Sequence, residues 1–247
     1  MPQDILLPPP PLLAQLASET ALAVFLDFDG TLVDIALRPD AIDVPAGLQR
    51  SLSELGARLD GRLALVSGRA ISDIEHYTGP LGLARAGSHG ADIRDAAGRA
   101  LGDLPAAIPA DVLAELEVFA TAHGFLIEQK PHGAALHYRE DPSLGGIGFD
   151  FAAKLAKAQG LDIKRGKCVI EVVGKGANKG SAVAILMSEP PFAGARPVFV
   201  GDDVTDEDGF RAVIELGGCG IIVGDRKSTS ARYRLASPAA VHHWLGL

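Results

Sequence analysis

The sequence has 247 residues, of which 47% are hydrophobic and 22% are charged, a composition typical of globular proteins and not of disordered or fibrous chains. Its formal net charge is -8, which disfavours nucleic acid as a partner, because a protein that binds a polyanion needs a surplus of Lys and Arg. A small anionic substrate stays open, since a few basic residues in one cleft can outweigh the net charge.

The N-terminal stretch and the cysteines predict a cytoplasmic protein. MPQDILLPPPPLLAQL has no basic start and contains four consecutive prolines, unlike a secretory signal. No apolar run approaches the roughly 20 residues that a membrane span needs. Cys168 and Cys219 have neither metal-ligand spacing nor a disulfide framework, and both lie in apolar runs, which predicts buried, reduced thiols. The oligomeric state stays open.

The first part of the chain alternates short apolar runs with helical patterns. After an extended lead-in at Pro8–Pro11, ALAVFLD and RLALVSG predict strands that are buried on both faces. PAGLQRSLSELGARL predicts a helix with Pro45 in its first turn, and AISDIEHY predicts another helix. LGLARAGSHGADI predicts a strand, a glycine-rich turn and a further strand. This order is typical of a doubly wound parallel sheet.

Between about residues 106 and 176 the pattern changes. PADVLAELEVFATAHG predicts a helix from near Pro109 to Gly124, and FLIEQK with AALHYRE predicts a hairpin that turns at PHG. GGIGFDFAAKLAKAQG predicts a second helix, and LDIKRG with KCVIEVVG predicts a second hairpin that turns at Arg165-Gly166. We predict a compact α+β unit inserted in the larger fold.

From Asn178 the first pattern returns. KGSAVAILM, DEDGFRAVIEL and the stretch ending in VHHWLGL predict helices, while RPVFVGDD, CGIIVGD and RYRLASP predict strands. The predicted α/β core is therefore discontinuous: residues 1–105 and 177–247 flank an inserted unit of residues 106–176.

Three strands of the predicted core end in polar residues, in FLDFDGT, LVSGR and FVGDDVTDE. Because the carboxyl ends of parallel strands meet along one edge of a sheet, we expect Asp27, Asp29, Ser67, Asp202 and Asp203 in one pocket. Two carboxylates 4 Å apart repel by about 4 kcal/mol at an effective dielectric of 20, so such a cluster needs a cation. Mg²⁺ is the candidate, since it binds carboxylates and shares phosphate oxygens.

The same pocket suits phosphoryl transfer. Asp27 stands at the strand end, and we expect it to attack phosphorus in line. Asp29 would protonate the leaving alcohol and then activate water. Lys179 adds an anion-binding charge at the start of a helix, and Thr31 and Ser67 can donate hydrogen bonds to phosphate oxygens. A single DFDGT stretch would equally suit an acidic turn at a strand end, so the prediction depends on the further motifs.

Together, DFDGT, SGR, NKG and GDDVTDE resemble, in this order, the four motifs of the haloacid-dehalogenase-like (HAD) phosphatases. GSHGADIR, EQKPHGAALHYR, VIEVVGKGANKGSAV and VFVGDDVTDEDGF further resemble the trehalose-6-phosphate phosphatase family. The resemblance extends over nearly the whole chain. It implies a Rossmann-like core with an inserted α/β cap, a requirement for Mg²⁺, and hydrolysis of trehalose 6-phosphate to trehalose and phosphate.

The resemblance also implies roles for single residues. Asp27 would be the nucleophile and a metal ligand, Asp29 the acid/base whose backbone carbonyl binds Mg²⁺, and Asp202 the second carboxylate ligand. Ser67 and Lys179 would hold the phosphoryl group. Further positions would support the metal or the phosphate: Thr31, Gly68, Arg69, Asp203 and Asp206. Another set would bind the sugar: His89, Glu128, Lys130, His137, Arg139 and Glu171.

The cap residues have some support from their spacing alone. Glu128 and Lys130 are two positions apart on a short strand, as are His137 and Arg139, so each pair is expected on one face. A polar face suits a sugar, but it is also the ordinary solvated face of a strand. One departure from the family stands beside the motif lysine: Asn178 replaces the usual Asp, and we expect tuned, not abolished, activity.

Two other functions stay open. A related HAD sugar-phosphate or sugar-acid phosphatase would share the core and cap, and only the cap side chains would distinguish it. A catalytically inactive sugar-phosphate sensor would be free to lose Asp27, Asp29 or Lys179. The presence of all three argues against a sensor.

Overall fold

A computed structural model of the chain describes residues 7–36, 38, 41–102, 107–130, 132–226 and 228–247. The strands within these ranges are β1 (Leu22–Leu26), β2 (Leu63–Val66), β3 (Ala84–Gly87), β4 (Asp92–Arg94), β5 (Leu126–Lys130), β6 (Gly133–His137), β7 (Asp162–Gly166), β8 (Val169–Val173), β9 (Arg196–Gly201), β10 (Cys219–Val223) and β11 (Tyr233–Leu235). The helices are α1 (Leu13–Glu19), α2 (Leu48–Arg58), α3 (Ile71–Thr78), α4 (Ala110–His123), α5 (Gly145–Gln159), α6 (Lys179–Met187), α7 (Asp206–Glu215) and α8 (Pro238–Leu245).

The larger sheet has the strand order β11-β10-β9-β1-β2-β3-β4. Its neighbouring strands run parallel except for β4, which is antiparallel to β3. β1 lies near the middle, where Leu26 pairs with Val200 of β9 and with Leu65 of β2. The predicted α/β architecture with a largely parallel sheet is confirmed.

Both faces of this sheet are buried, which explains its continuous apolar strands. Val24 and Leu26 of β1 pack into a cluster with residues of α2 and α8, including Trp244. Phe25, between them, points to the other face and packs in a cluster that includes Phe210 of α7. The alternation along one strand therefore supplies two hydrophobic layers.

The smaller sheet has the order β5-β6-β8-β7 and is antiparallel throughout. α4 and α5 contribute Val112, Leu116 and Ala152 to a separate core, together with Ile170 of β8 and with Phe125. The predicted succession of helix, hairpin, helix and hairpin is thus observed. The proposed boundary at residues 105–106 lies within 103–106, outside the described residues, so the division into core and cap stays a prediction.

The second hairpin turns two residues later than predicted. Arg165 and Gly166 belong to β7, and Gly166 pairs directly with Val169. Lys167 and Cys168 form the turn, in which Cys168 has a φ of 58°. The predicted turn at Arg165-Gly166 was wrong because Gly is a common turn residue, whereas Cys rarely adopts a positive φ.

Other local predictions also need correction. α2 begins at Leu48 after Gly47, which has a φ of 85°, so Pro45 precedes the helix instead of lying in its first turn. α1 was not predicted, because it follows the prolines without an N-terminal capping side chain. Cys219 is buried as expected, but Cys168 is partly exposed.

Among the described residues, no helix combines the length and the apolar character needed to cross a membrane. The cytoplasmic location and the absence of a nucleic-acid partner stay predictions.

Candidate active site

Acidic side chains meet beside the carboxyl ends of β1 and β9. Asp27 follows β1, Asp202 follows β9, and Asp206 begins α7. One carboxylate oxygen from each of these three residues lies within 4.8 Å of the other two. The juxtaposition follows from the pairing of two parallel neighbours, since β1 and β9 end at the same edge of the sheet.

Lys179, the first residue of α6, is buried between two of these acids. Its Nζ lies 2.9 Å from Asp27 Oδ1 and 2.6 Å from Asp206 Oδ1. Burial alone would lower the pKa of Lys179, but Asp206 and Asp27 outweigh burial and raise it. The lysine therefore remains a cation, fixed beside the predicted nucleophile.

The carboxylate of Asp206 is fully occupied by protein contacts. While Oδ1 accepts from Lys179, Oδ2 accepts from the backbone N–H groups of Asp202 (2.9 Å) and Asp203 (2.8 Å). Asp206 thereby fixes the backbone that carries Asp202. This arrangement fits the predicted supporting role and leaves Asp27 and Asp202 facing the cavity.

The cluster has more negative charge than Lys179 compensates. Burial, together with the charge of Asp206, raises the pKa of Asp27 well above its usual value despite Lys179. Burial and the charges of Asp206 and Asp203 raise the pKa of Asp202 to about 7. Closely spaced carboxylate oxygens that are difficult to ionise together are a donor set that fits a hard divalent cation such as Mg²⁺.

Asp29 lines the same cavity but is not a member of this cluster, and its carboxylate is held by Arg69. Arg69 Nε and Nη2 donate to the two Asp29 oxygens at 2.7 and 2.9 Å, and Nη1 donates to Asp73 at 2.6 Å. Such a bidentate pair fixes orientation as well as charge. In this structure Arg69 thus positions the predicted acid/base.

The small and hydroxyl side chains of the motifs differ in their placement. Ser67 is buried, lines the cavity and accepts at Oγ from the N–H of Arg69 (3.2 Å). A methyl group at Gly68 would come within 2.6 Å of the His89 ring, so any larger residue there would displace that ring. Thr31 is fully buried behind the cavity wall, and its hydroxyl has no hydrogen-bond partner among the described residues.

Residues of the smaller sheet close the site from the opposite side. Lys130 Nζ donates to the Gly68 carbonyl at 2.9 Å and pairs with Glu171, which also pairs with His89. Burial would raise the pKa of Glu171, but His89 and Lys130 outweigh it and lower the pKa. These charged contacts join the two sheets across the cavity.

The other predicted sugar-binding residues lie on the same wall. His137 Nε2 and Glu128 Oε2 are 2.8 Å apart. Arg139 lines the cavity too, but its hydrogen bonds go to the backbone carbonyls of Ala36 and Lys167. Arg139 therefore connects the loop after β1 with the turn of the second hairpin.

A single cavity collects nearly all of the predicted site residues; Thr31 and Asp206 lie behind its wall. It is also lined by residues that the sequence did not predict: Ile35, Gly166, Lys167, Val169 and Thr205. Most of the missed positions belong to the hairpin whose turn was misplaced. Placing the turn at Lys167-Cys168 would have brought Lys167 to the tip and identified it as a candidate.

A family model described as Trehalose-phosphatase matches residues 25–239, which include the acidic cluster, Lys179 and the residues of the smaller sheet that line the cavity. This chain belongs to the trehalose-phosphatase family. It is 39% identical over 226 residues to the trehalose-6-phosphate phosphatase of Escherichia coli strain K12, an alignment that covers 90% of this chain and 85% of that protein.

Solved structures agree with the family assignment. The C-terminal domain of trehalose-6-phosphate phosphatase from C. albicans superimposes with a TM-score of 0.81 at 26% identity, covering 97% of each chain. A phosphatase of the haloalkanoate (HAD) superfamily from Bacteroides thetaiotaomicron superimposes with a TM-score of 0.64 at 15% identity, covering 93% of this chain and 95% of that one, and shows the shared fold alone.

The predicted resemblance to the trehalose-phosphatases and the predicted enzyme class, phosphoric monoester hydrolase, are thereby confirmed.

Proposed function

We propose that this chain hydrolyses trehalose 6-phosphate to trehalose and phosphate, as a step of trehalose biosynthesis, with Mg²⁺ and through a phosphoryl group carried on Asp27. The observation that carries the proposal is the buried cluster of Asp27, Asp202 and Lys179 facing a cavity with a polar opposite wall. Family membership supplies the substrate.

Asp27 and Asp202 would hold Mg²⁺, and Asp206 would keep the Asp202 backbone in place through its two accepted hydrogen bonds. The backbone carbonyl of Asp29 is a further proposed ligand. When bound, the ion offsets the negative charge of the cluster and polarises a phosphoryl oxygen.

In the proposed reaction, an Asp27 carboxylate oxygen forms a bond to phosphorus while the bond from phosphorus to the sugar oxygen breaks. Lys179 Nζ lies 2.9 Å from Asp27 Oδ1. When the phosphoryl group binds, this ammonium group would leave the Asp27 carboxylate and neutralise charge on the phosphoryl oxygens. Ser67, on the cavity wall, would donate a hydrogen bond to the same group.

Asp29 would transfer the protons of both steps. It gives a proton to the departing sugar oxygen, and it then takes one from the water that attacks phosphorus and releases Asp27. Because Arg69 engages both Asp29 oxygens, one of these hydrogen bonds must loosen before Asp29 reaches the substrate. Arg69 is therefore proposed to position Asp29, not to bind phosphate.

The cap wall supports a sugar as the other half of the substrate. Glu128, Lys130, His137 and Glu171, together with His89 of the core, surround the cavity with hydrogen-bond donors and acceptors. A related sugar phosphate would meet the same groups, so the disaccharide preference rests on family membership.

Phosphate release from a panel of sugar phosphates, with Mg²⁺ and with EDTA, tests the proposal. We expect a clear preference for trehalose 6-phosphate over glucose 6-phosphate and other monosaccharide phosphates, and no release in EDTA. Equal rates across the panel would favour the general sugar-phosphate phosphatase. No release from any substrate with Mg²⁺ would favour the inactive sensor.

A further inference from the structure

The turn between β7 and β8 approaches the acidic cluster from the smaller sheet. Gly166 and Val169 pair across it, so Lys167 and Cys168 form its tip. Lys167 Nζ lies 3.6 Å from Asp202 Oδ2. A methyl group at Gly166 would come within 2.9 Å of Asp203 Oδ2. The turn therefore rests against both acids that follow β9.

Hydrogen bonds to the backbone carbonyls of Lys167 and Cys168 hold this turn in place. Arg139 Nε donates to the Lys167 carbonyl at 3.2 Å, and its Nη1 donates to the Ala36 carbonyl. The N–H of Tyr138 donates to the Cys168 carbonyl at 3.0 Å. The side chain of Lys167 is nevertheless 64% exposed. Its ammonium group can therefore leave Asp202 while the backbone of the turn stays where it is.

Lys167 forms an ion pair with Asp202, which Lys179 does not contact within ion-pair distance. The ion pairs of Lys179 go to Asp27 and Asp206, whereas the Asp202 carboxylate has Lys167. Within the cluster of Asp27, Asp202 and Asp206, Asp202 is one of the two acids that face the cavity and would hold Mg²⁺. Mg²⁺ and the Lys167 ammonium group thus compete for the Asp202 carboxylate.

We propose that Lys167 is a positioning residue that neutralises Asp202 in the metal-free protein and yields this carboxylate to the divalent cation, so that Lys167 lowers the affinity for Mg²⁺ before substrate binds. The inference rests on the proposed function, since it takes Asp202 as a metal ligand.

The expected size of the effect follows from Coulomb's law. A single and a double positive charge about 6 Å apart in water repel enough to weaken binding about threefold at 0.15 M salt and about sevenfold at 0.01 M salt. The exposed position of Lys167 makes this water-like estimate appropriate. The dependence of Mg²⁺ affinity on salt concentration distinguishes an effect of the Lys167 charge from a change in the shape of the site.

Titration calorimetry with Mg²⁺ alone, without substrate and at pH 8, where Asp202 is ionised, tests the proposal on the full chain. We would compare the wild type with Lys167→Met, Lys167→Arg and Lys164→Met at both salt concentrations. Lys164 is the matched control, because it lies on the same hairpin and its Nζ is also 3.6 Å from an acid, but that acid is Asp208, outside the cluster.

We expect Lys167→Met to bind Mg²⁺ about threefold more tightly than the wild type at 0.15 M salt, with a larger ratio at low salt. Lys167→Arg and Lys164→Met should bind as the wild type does. Unchanged or weaker binding by Lys167→Met, or an equal gain in Lys164→Met, would overturn the inference and leave the proposed function intact. Failure of the wild type itself to bind Mg²⁺ would overturn both.

Discussion

At Asp202, burial and the carboxylates of Asp206 and Asp203 raise the pKa from the ordinary 3.8 to about 7. The folded, metal-free protein therefore holds this proton more tightly than the unfolded chain does. The contribution of Asp202 to the free energy of unfolding is then fully present below about pH 4 and is lost as the pH rises through 7. A bound divalent cation would remove this penalty.

Replacing Asp202 by Asn should remove, in the absence of metal, the loss of folding stability that ionisation of Asp202 causes. In EDTA at pH 8 we expect Asp202→Asn to raise Tm by several degrees, since each kcal/mol shifts the Tm of a chain of this length by about 2–4 °C, and at pH 4 we expect little difference from the wild type. Thermal unfolding followed by circular dichroism at both pH values measures this. Asp60→Asn, an exposed carboxylate paired with Arg62, is the control. A Tm difference between Asp202→Asn and the wild type that does not change with pH would contradict the raised pKa of Asp202.

At the level of elements, the turn after β1 brings the main chain against Asp202. Gly30 has a φ of 76°, and a methyl group there would overlap the Asp202 carboxylate. Gly47, which precedes α2, has a φ of 85° but has nothing within 4 Å of such a methyl group. The two glycines therefore share the backbone strain that alanine would introduce and differ in what the methyl group meets.

We expect Gly30→Ala and Gly47→Ala each to lose about 1–2 kcal/mol of stability from the left-handed conformation. Only Gly30→Ala should also lose Mg²⁺ binding and turnover, because it displaces Asp202. Urea denaturation and phosphate release on both variants separate the two effects. Normal turnover by Gly30→Ala would show that the position of Asp202 is not critical.

The start of α6 shows what Asn178, the predicted departure from the family pattern, does in this structure. Asn178 Oδ1 accepts from the N–H of Ser181 at 2.7 Å, and Ser181 Oγ accepts from the N–H of Asn178 at 3.3 Å. This reciprocal cap fixes the first turn, which carries Lys179. An Asp would provide the same acceptor oxygen, so the cap does not depend on the charge.

Asn178→Ala should therefore cost about 1 kcal/mol of stability, whereas Asn178→Asp should keep it. We expect Asn178→Asp to change turnover by less than about tenfold, equivalent to about 1.4 kcal/mol in the barrier. Denaturation curves and steady-state rates on the two variants test this. A loss of turnover in Asn178→Asp well beyond tenfold would mean that Asn178 affects the chemistry through charge.

The sequence predicted the elements well where burial determines the pattern. β1 and β9 are apolar on both faces, and the acids that follow them were correctly expected at one edge. The misplaced turn at Lys167-Cys168 shows the limit, because turn position there depends on cross-strand pairing and not on local preference. The Asp29–Arg69 pair was also out of reach, since it depends on the directions of two side chains from different strands.

At the scale of the whole molecule, charged contacts join the two sheets across the cavity. Lys130 is central, because it joins the Gly68 carbonyl of the larger sheet's edge to Glu171 of the smaller one. We predict that the two sheets open and close by a hinge motion about residues near 104 and 177, at the two ends of the inserted unit; residue 104 lies outside the described residues. Closure over bound substrate stays a prediction.

Removing the Lys130 contacts should open the substrate-free protein. A compact chain of this length has a radius of gyration of about 18 Å, and we expect Lys130→Ala to exceed the wild-type value in small-angle scattering. Lys154→Ala, at an exposed position of α5, should leave it unchanged. Identical profiles for Lys130→Ala and the wild type would show that these contacts do not maintain closure.

The central claim is that Asp27 carries the phosphoryl group during hydrolysis, and its most direct test is to trap that group on Asp27. The enzyme, with Mg²⁺, is mixed with trehalose 6-phosphate labelled on phosphorus, quenched in acid within milliseconds, and digested for mass spectrometry. We expect transient label on Asp27, and in Asp27→Asn no label and at least a thousandfold loss of turnover, on the order of losses seen for other nucleophiles. Label on a different residue, or wild-type turnover by Asp27→Asn, would contradict the proposed mechanism.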